Sequence, residues 1–241
     1  MRKINFEYID NGNDVAYVFL HGWGLSGNSF DKIISLMGDV SFLKIDLPGF
    51  GKSNIPKDYF DTYEYSYQIF LLLKRLNLRK IILVGHSFGG RLSILLSSVF
   101  CLSVEFCVLT SSAGLNRFSL IKWFKIKKYK LIKWLVEKRI FKAGILSKYG
   151  SKDYQSARPS MKRILMRVVN QDLKIFLARI DALVFLVWDK KDKDTRYWIC
   201  KKIFRRVKQS EIINLINGGH FCAFYNKNKF AKILLNLTQI V

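Results

Sequence analysis

Proline is scarce: only Pro48, Pro56 and Pro159 occur in 241 residues, and no stretch is rich enough in Pro, Gly or Ser to link independent domains. An internal repeat of fixed period is also missing, which excludes solenoids and propellers. The longest apolar runs, such as Ile69 to Leu73 and Ile81 to Val84, fall far short of the roughly 20 residues a membrane-spanning helix needs. The opening MRKINFEYID reaches Glu7 and Asp10 without an apolar run of signal-peptide length, so a cytoplasmic protein is expected. Cys101, Cys107, Cys200 and Cys222 lie among apolar neighbours without metal-ligand spacing. They are expected to be buried reduced thiols rather than disulfides or zinc ligands.

Acids are the other shortage, with 18 Asp and Glu against 41 Lys and Arg, a net charge of +23. Richness in Lys, Ile, Asn, Phe and Tyr fits a coding sequence biased toward A and T, but such a bias would supply glutamate too. The imbalance therefore points to anionic partners: an acidic carrier protein, an anionic membrane surface or nucleic acid. Nucleic acid is the weakest of these, because no recognised nucleic-acid motif accompanies the charge.

Half of the residues are hydrophobic and 15% are aromatic, enough for one large core. Val15 to Leu20, Val40 to Asp46, Ile81 to Val84 and Val104 to Leu109 are short apolar runs stopped by Gly, Pro or charge, the pattern of buried strands. Helix-length segments alternate with them: Ser29 to Met37, Thr62 to Leu76 and Phe88 to Phe100. Such alternation predicts an α/β fold with a mostly parallel sheet covered by helices on both faces. It stops at Ala113 and resumes after Ala182, with Leu183 to Trp188 and Glu211 to Ile216 as strands and Tyr197 to Val207 and Phe230 to Leu237 as helical segments. Residues 113–182 hold 18 Lys and Arg against 4 Asp and Glu, so +14 of the +23 lies there. The expected organisation is a core of 1–112 and 183–241 carrying a basic helical cap at 113–182.

Three short motifs carry chemistry. Gly85-His86-Ser87-Phe88-Gly89 follows the strand Ile81 to Val84 and opens a helix, the setting of a nucleophile elbow with Ser87 at its tip. Glycines flank the serine because the sharp turn forces backbones close together. His21-Gly22-Trp23-Gly24 ends the strand from Val15, and a turn there can offer the Trp23 amide beside that of Phe88 as an oxyanion hole. His220, in Asn217-Gly218-Gly219-His220-Phe221, is the histidine free to act as base: His86 adjoins the serine and points elsewhere, and His21 shapes its turn. For the acid, Trp188-Asp189-Lys190-Lys191-Asp192-Lys193-Asp194 offers three carboxylates beyond a strand. Asp192 is preferred, with Asp189 and Asp194 as alternatives.

HGWG, DLPGFGKS, GHSFGG, WDKKDKDT and GGHF, in that order, resemble the α/β-hydrolase superfamily over essentially the whole chain. That family's fourth motif reads like W-G-x-x-D-x-x-T-P, which places its acid on Asp192. Asp189 stands where that pattern has glycine and Arg196 where it has proline. HGWGLS and DLPGFGKS resemble the esterases that cleave pimeloyl-acyl-carrier-protein methyl ester, although those often have Trp at the position of His86. GHSFGGR and SSAGLNR are similar to bacterial hydrolases of unassigned substrate.

The expected activity is hydrolysis of a carboxylic ester through an acyl-enzyme on Ser87, with small-molecule acyl esters as substrates and no metal or organic cofactor. One alternative is a carbon-carbon bond hydrolase of ring-cleavage products using the same triad. Another is a non-catalytic protein binding an anionic partner through Lys122 to Lys133. Trp123, Phe124, Trp134 and Phe141 in the cap are read first as its own core and second as an apolar acyl site.

Overall fold

The computed structural model describes residues 3–57, 59–78, 80–100, 103–116, 120–142, 144–145 and 151–239. The expectation for Cys101 lies outside these residues, and the side chains of Lys122, Trp123 and Lys125 lie outside those described. Among the described residues, seven strands form one sheet in the order β1-β3-β2-β4-β5-β6-β7. They are β1 (Phe6–Ile9), β2 (Val15–Leu20), β3 (Phe42–Ile45), β4 (Lys80–His86), β5 (Val104–Thr110), β6 (Leu183–Trp188) and β7 (Ser210–Asn214). Every neighbouring pair is parallel except β1 with β3, which run antiparallel with Phe6 opposite Ile45.

The sheet works because successive side chains leave opposite faces. On one face Val18, Leu20, Leu83, Leu109 and Leu186 join a common core. On the other, Tyr17, Phe19, Val84, Val108 and Val187 join a second. Helices cover both: α2 (Thr62–Arg75), α3 (Phe88–Ser98) and α7 (Trp198–Phe204) contribute Leu72, Leu92 and Ile203 to the first. On the other face, α1 (Asp31–Ile34), α8 (Cys222–Tyr225) and α9 (Lys227–Thr238) contribute Ile33, Ala223 and Phe230. With both faces covered, β2 is buried at all six positions, which is why it reads as a continuous apolar run.

Between β5 and β6 lie α4 (Leu120–Glu137), α5 (Lys152–Ser156) and α6 (Pro159–Asn170). The ends of this segment are tied to each other and to the rest of the fold. Leu173 N–H donates to the Gly114 carbonyl at 2.8 Å and Asn116 Nδ2 to the Asn170 carbonyl at 3.1 Å. Gln171 accepts the Thr62 N–H and donates to Asp61, while buried Arg91 donates to the Gln171 carbonyl. Phe124, Trp134 and Phe141 do not form a core within the insertion: they are 63%, 51% and 43% exposed. Phe124 and Trp134 lie on lysine-rich α4, whose described buried position is Ile132, and Phe141 lies beyond the end of that helix.

Candidate active site

Ser87 sits between β4 and α3 with φ 50° and ψ −105°, a conformation that costs an L-residue about 1–3 kcal/mol. Two hydrogen bonds from the neighbouring strand's end enforce it: Ser87 N–H to the Thr110 carbonyl at 3.1 Å, and Ala113 N–H to the Ser87 carbonyl at 3.0 Å. The strain lifts Oγ out of the sheet toward the loop after β7. There His220 Nε2 lies 2.9 Å from Ser87 Oγ, and His220 Nδ1 lies 3.1 Å from Asp192 Oδ2.

Asp192 has a fully buried side chain. Its Oδ1 accepts the Asp194 and Thr195 amides at 2.8 and 2.9 Å, and its Oδ2 accepts the Thr195 hydroxyl at 2.7 Å. Burial pushes its carboxyl up, but the hydrogen bonds from His220 and Thr195 outweigh that and hold it below the usual carboxylate range. Trp188 Nε1 donates to the Thr195 carbonyl and ties the loop to the core. Of the two other carboxylates, Asp194 is exposed. Asp189 is buried and accepts backbone amides from Lys191 and Gly219. Asp192, Asp194 and His220 are the group of possible metal donors among the described residues. Both ring nitrogens of His220 are already directed at Asp192 and Ser87, which leaves that group no free imidazole ligand.

The two remaining histidines are buried. Leu47 N–H donates to His21 Nε2 at 3.0 Å, so His21 Nδ1 carries the proton and donates to the Gly22 carbonyl at 2.7 Å. This ring holds the turn after β2. His86 Nε2 donates to the His220 carbonyl at 2.9 Å, and its Nδ1 has no hydrogen-bond partner. Burial lowers the pKa of His21 to about 4. Burial, then the nearby His220, lowers that of His86 to about 3.

The two buried rings make stability depend on pH. Below pH ~6.5 the unfolded chain binds protons at both rings while the folded chain does not, so stability falls as pH drops from about 6.5 toward 4. A tenfold loss of proton affinity on folding corresponds to about 1.4 kcal/mol, so the two rings together remove several kcal/mol across that window. The melting temperature should therefore drop steeply between about pH 6.5 and 4.5, well before the carboxylates titrate. Circular dichroism melts across that range check this, and a flat profile down to pH ~4.5 would contradict buried neutral rings.

Of the expected oxyanion donors, Phe88 is the first residue of α3, so its N–H has no acceptor within the helix. Trp23 follows Gly22, and a Cβ placed on Gly22 would lie 3.4 Å from Ser87 Cβ. The Trp23 and Phe88 rings meet edge to face at 5.3 Å. Helix α3 adds a partial positive charge beneath the serine.

Residues 17–134 match the alpha/beta hydrolase fold family. An esterase from Exiguobacterium antarcticum superposes with a TM-score of 0.77 at 20% identity, covering 99% of this chain and 96% of the esterase. This is an α/β-hydrolase fold. A probable serine hydrolase of Drosophila melanogaster is 35% identical over 40% of this chain and 30% of its own length. A pimeloyl-[acyl-carrier protein] methyl ester esterase of Wigglesworthia glossinidia brevipalpis is 31% identical over 47% of this chain and 42% of its own length. The aligned stretch thus spans less than half of each of these two curated relatives.

Within the α/β-hydrolase fold, three residues, Thr195, Asp189 and His86, support the site through contacts that the sequence alone does not assign. Thr195 Oγ1 lies 3.2 Å from His220 Nδ1 and 2.9 Å from the Ser111 carbonyl, besides its bond to Asp192. Its only signal is the motif WDKKDKDT itself. Neither the grip of Asp189 on Gly219 nor that of His86 on the His220 carbonyl leaves a local pattern, because each joins residues at least 30 positions apart.

Proposed function

We propose that this protein is a serine hydrolase that cleaves a carboxylic ester through an acyl-enzyme on Ser87. The observation that carries this reading is the continuous line from Ser87 Oγ to His220 Nε2 at 2.9 Å and from His220 Nδ1 to Asp192 Oδ2 at 3.1 Å. Ser87 Oγ attacks the acyl carbon while its proton passes to His220 Nε2. Asp192, held ionised, stabilises the imidazolium and fixes the ring's orientation. The negative charge on the acyl oxygen is met by the Trp23 and Phe88 amides. His220 then returns the proton to the leaving alcohol, and water, activated by the same ring, releases the acid and restores Ser87. In this reading residues 1–112 and 183–241 form the catalytic core and 113–182 a basic cap.

Labelling with a fluorophosphonate and turnover of short p-nitrophenyl esters test the reading directly. A dienol ketone ring-cleavage product, run beside the esters, decides between ester and carbon-carbon cleavage by the same triad. The excess of lysine on the cap, together with the likeness to a carrier-protein ester esterase, supports an ester presented on an acidic acyl carrier protein. Lys127, Lys128 and Lys130 are exposed. Reversing their charges should lower kcat/KM on a carrier-bound ester by roughly tenfold or more, through lost steering and attraction, and leave p-nitrophenyl acetate unaffected. An equal loss on both substrates would remove the carrier protein from the proposal.

A further inference from the structure

The loop that presents His220 is an unusual piece of backbone. Asn217, Gly218 and Gly219 all have positive φ, at 66°, 99° and 54°, and the asparagine among them carries a steric penalty that the surroundings must offset. Three successive left-handed residues give a segment with little intrinsic preference for one geometry. Yet His220 must keep its ring within hydrogen-bond reach of both Ser87 and Asp192.

The peptide groups around His220 are held from two sides. Ahead of the histidine, Gly219 N–H donates to Asp189 Oδ2 at 2.9 Å. Behind it, the His220 carbonyl accepts His86 Nε2–H at 2.9 Å. Asp189 is 3% exposed, and its other oxygen accepts the Lys191 N–H at 2.8 Å. One carboxylate therefore joins the loop that carries Asp192 to the loop that carries His220. A charged acceptor is the strong kind of anchor, roughly twice as strong as a neutral one, and a glycine at 189 would have no side-chain atom to do this.

We infer that Asp189 is a positioning residue for the base: its carboxylate fixes the His220 loop against the acid loop and so sets the imidazole between Asp192 and Ser87. The inference rests on the reading of Ser87, Asp192 and His220 as a triad. Without Asp189 the Gly219 N–H, one residue ahead of His220, loses its acceptor, while the His86 bond to the His220 carbonyl and the Asn226 bonds to the Ile216 and Asn217 carbonyls remain. The peptide between those holds is then free to shift and to carry the ring with it. Misplacement of a catalytic group by about 1 Å costs on the order of 100-fold. The loss belongs in kcat, because Asp189 touches neither the ester nor the oxyanion donors.

The test compares wild type with Asp189→Ala, Asp189→Asn and His220→Ala, using p-nitrophenyl ester kinetics together with amide hydrogen exchange at Gly219 by NMR. Asp189→Ala should lower kcat by roughly 10- to 100-fold with KM within about twofold, and speed exchange at Gly219 by roughly tenfold or more. Asp189→Asn keeps one acceptor oxygen and should fall between the two. The proposal is overturned by unchanged exchange at Gly219, by kcat within about twofold of wild type, or by a fall in activity that only tracks the unfolded fraction. If wild type itself is inactive and His220→Ala changes nothing, the triad reading fails instead. The hold on the loop is then still decided by Gly219 exchange.

Discussion

Ser87→Ala and His220→Ala should each lower kcat on a p-nitrophenyl ester by roughly 10⁴- to 10⁶-fold, and the double variant should be no worse than either single one. The reason is that the two side chains act as one unit. The hydroxyl is a weak nucleophile unless its proton has somewhere to go, and the imidazole 2.9 Å away is placed to take it. Asp192→Asn should be milder than either, because it leaves the serine and base in place but favours the wrong imidazole tautomer. A loss of about 10⁴-fold is expected there. Fluorophosphonate labelling should vanish with Ser87→Ala. Ser87→Ala and His220→Ala should not change the melting temperature greatly, since the two side chains meet at the surface of the core. Asp192→Asn should lower it, because both Asp192 oxygens accept from donors and the new amide nitrogen would face one of them. If folded wild type neither labels nor turns over esters, the triad reading is wrong. The basic insertion, as a surface for an anionic partner, then becomes the better account.

Much of the fold is legible in the sequence because buried parallel strands leave a strong trace. The apolar runs Val15 to Leu20 and Leu183 to Trp188 have the same bounds as the strands they form. The expected strand from Val40 to Asp46 shortens to Phe42–Ile45. Edge strand β1 escapes such a reading for a physical reason: Phe6, Glu7 and Ile9 are exposed and Tyr8 only half-buried, so four residues at the sheet edge leave no continuous apolar run to betray them. The segment from Ser29 to Met37 forms a 3-10 turn and one turn of α1 rather than a full helix. The residues that meet at the site announce themselves through glycine, serine and histidine at strand ends. Their supports do not. In the sequence Asp189 reads as an alternative acid standing where glycine is usual, because a hydrogen bond to Gly219 across 30 positions is a property of the fold and not of a spacing.

The site's dependence on that fold is sharpest at Gly89, and Gly89→Ala should lose more than about 4 kcal/mol of stability, a fall of roughly 10 °C or more in melting temperature. A Cβ there would lie 1.9 Å from the Leu20 carbonyl oxygen and 2.9 Å from that of His21. Both obstacles are backbone, so neither can rotate away, and α3 would have to move off the end of β2. That displacement carries Ser87 and the Phe88 amide with it, so whatever folded fraction remains should also label slowly. Gly24→Ala is the matching control: its φ is 77°, but nothing lies within 4 Å of the new methyl group, so only the backbone penalty of about 1–2 kcal/mol applies. If Gly89→Ala melts no lower than Gly24→Ala, the helix does not approach the strand this closely. The geometry of the turn that presents Ser87 would then have to be redrawn.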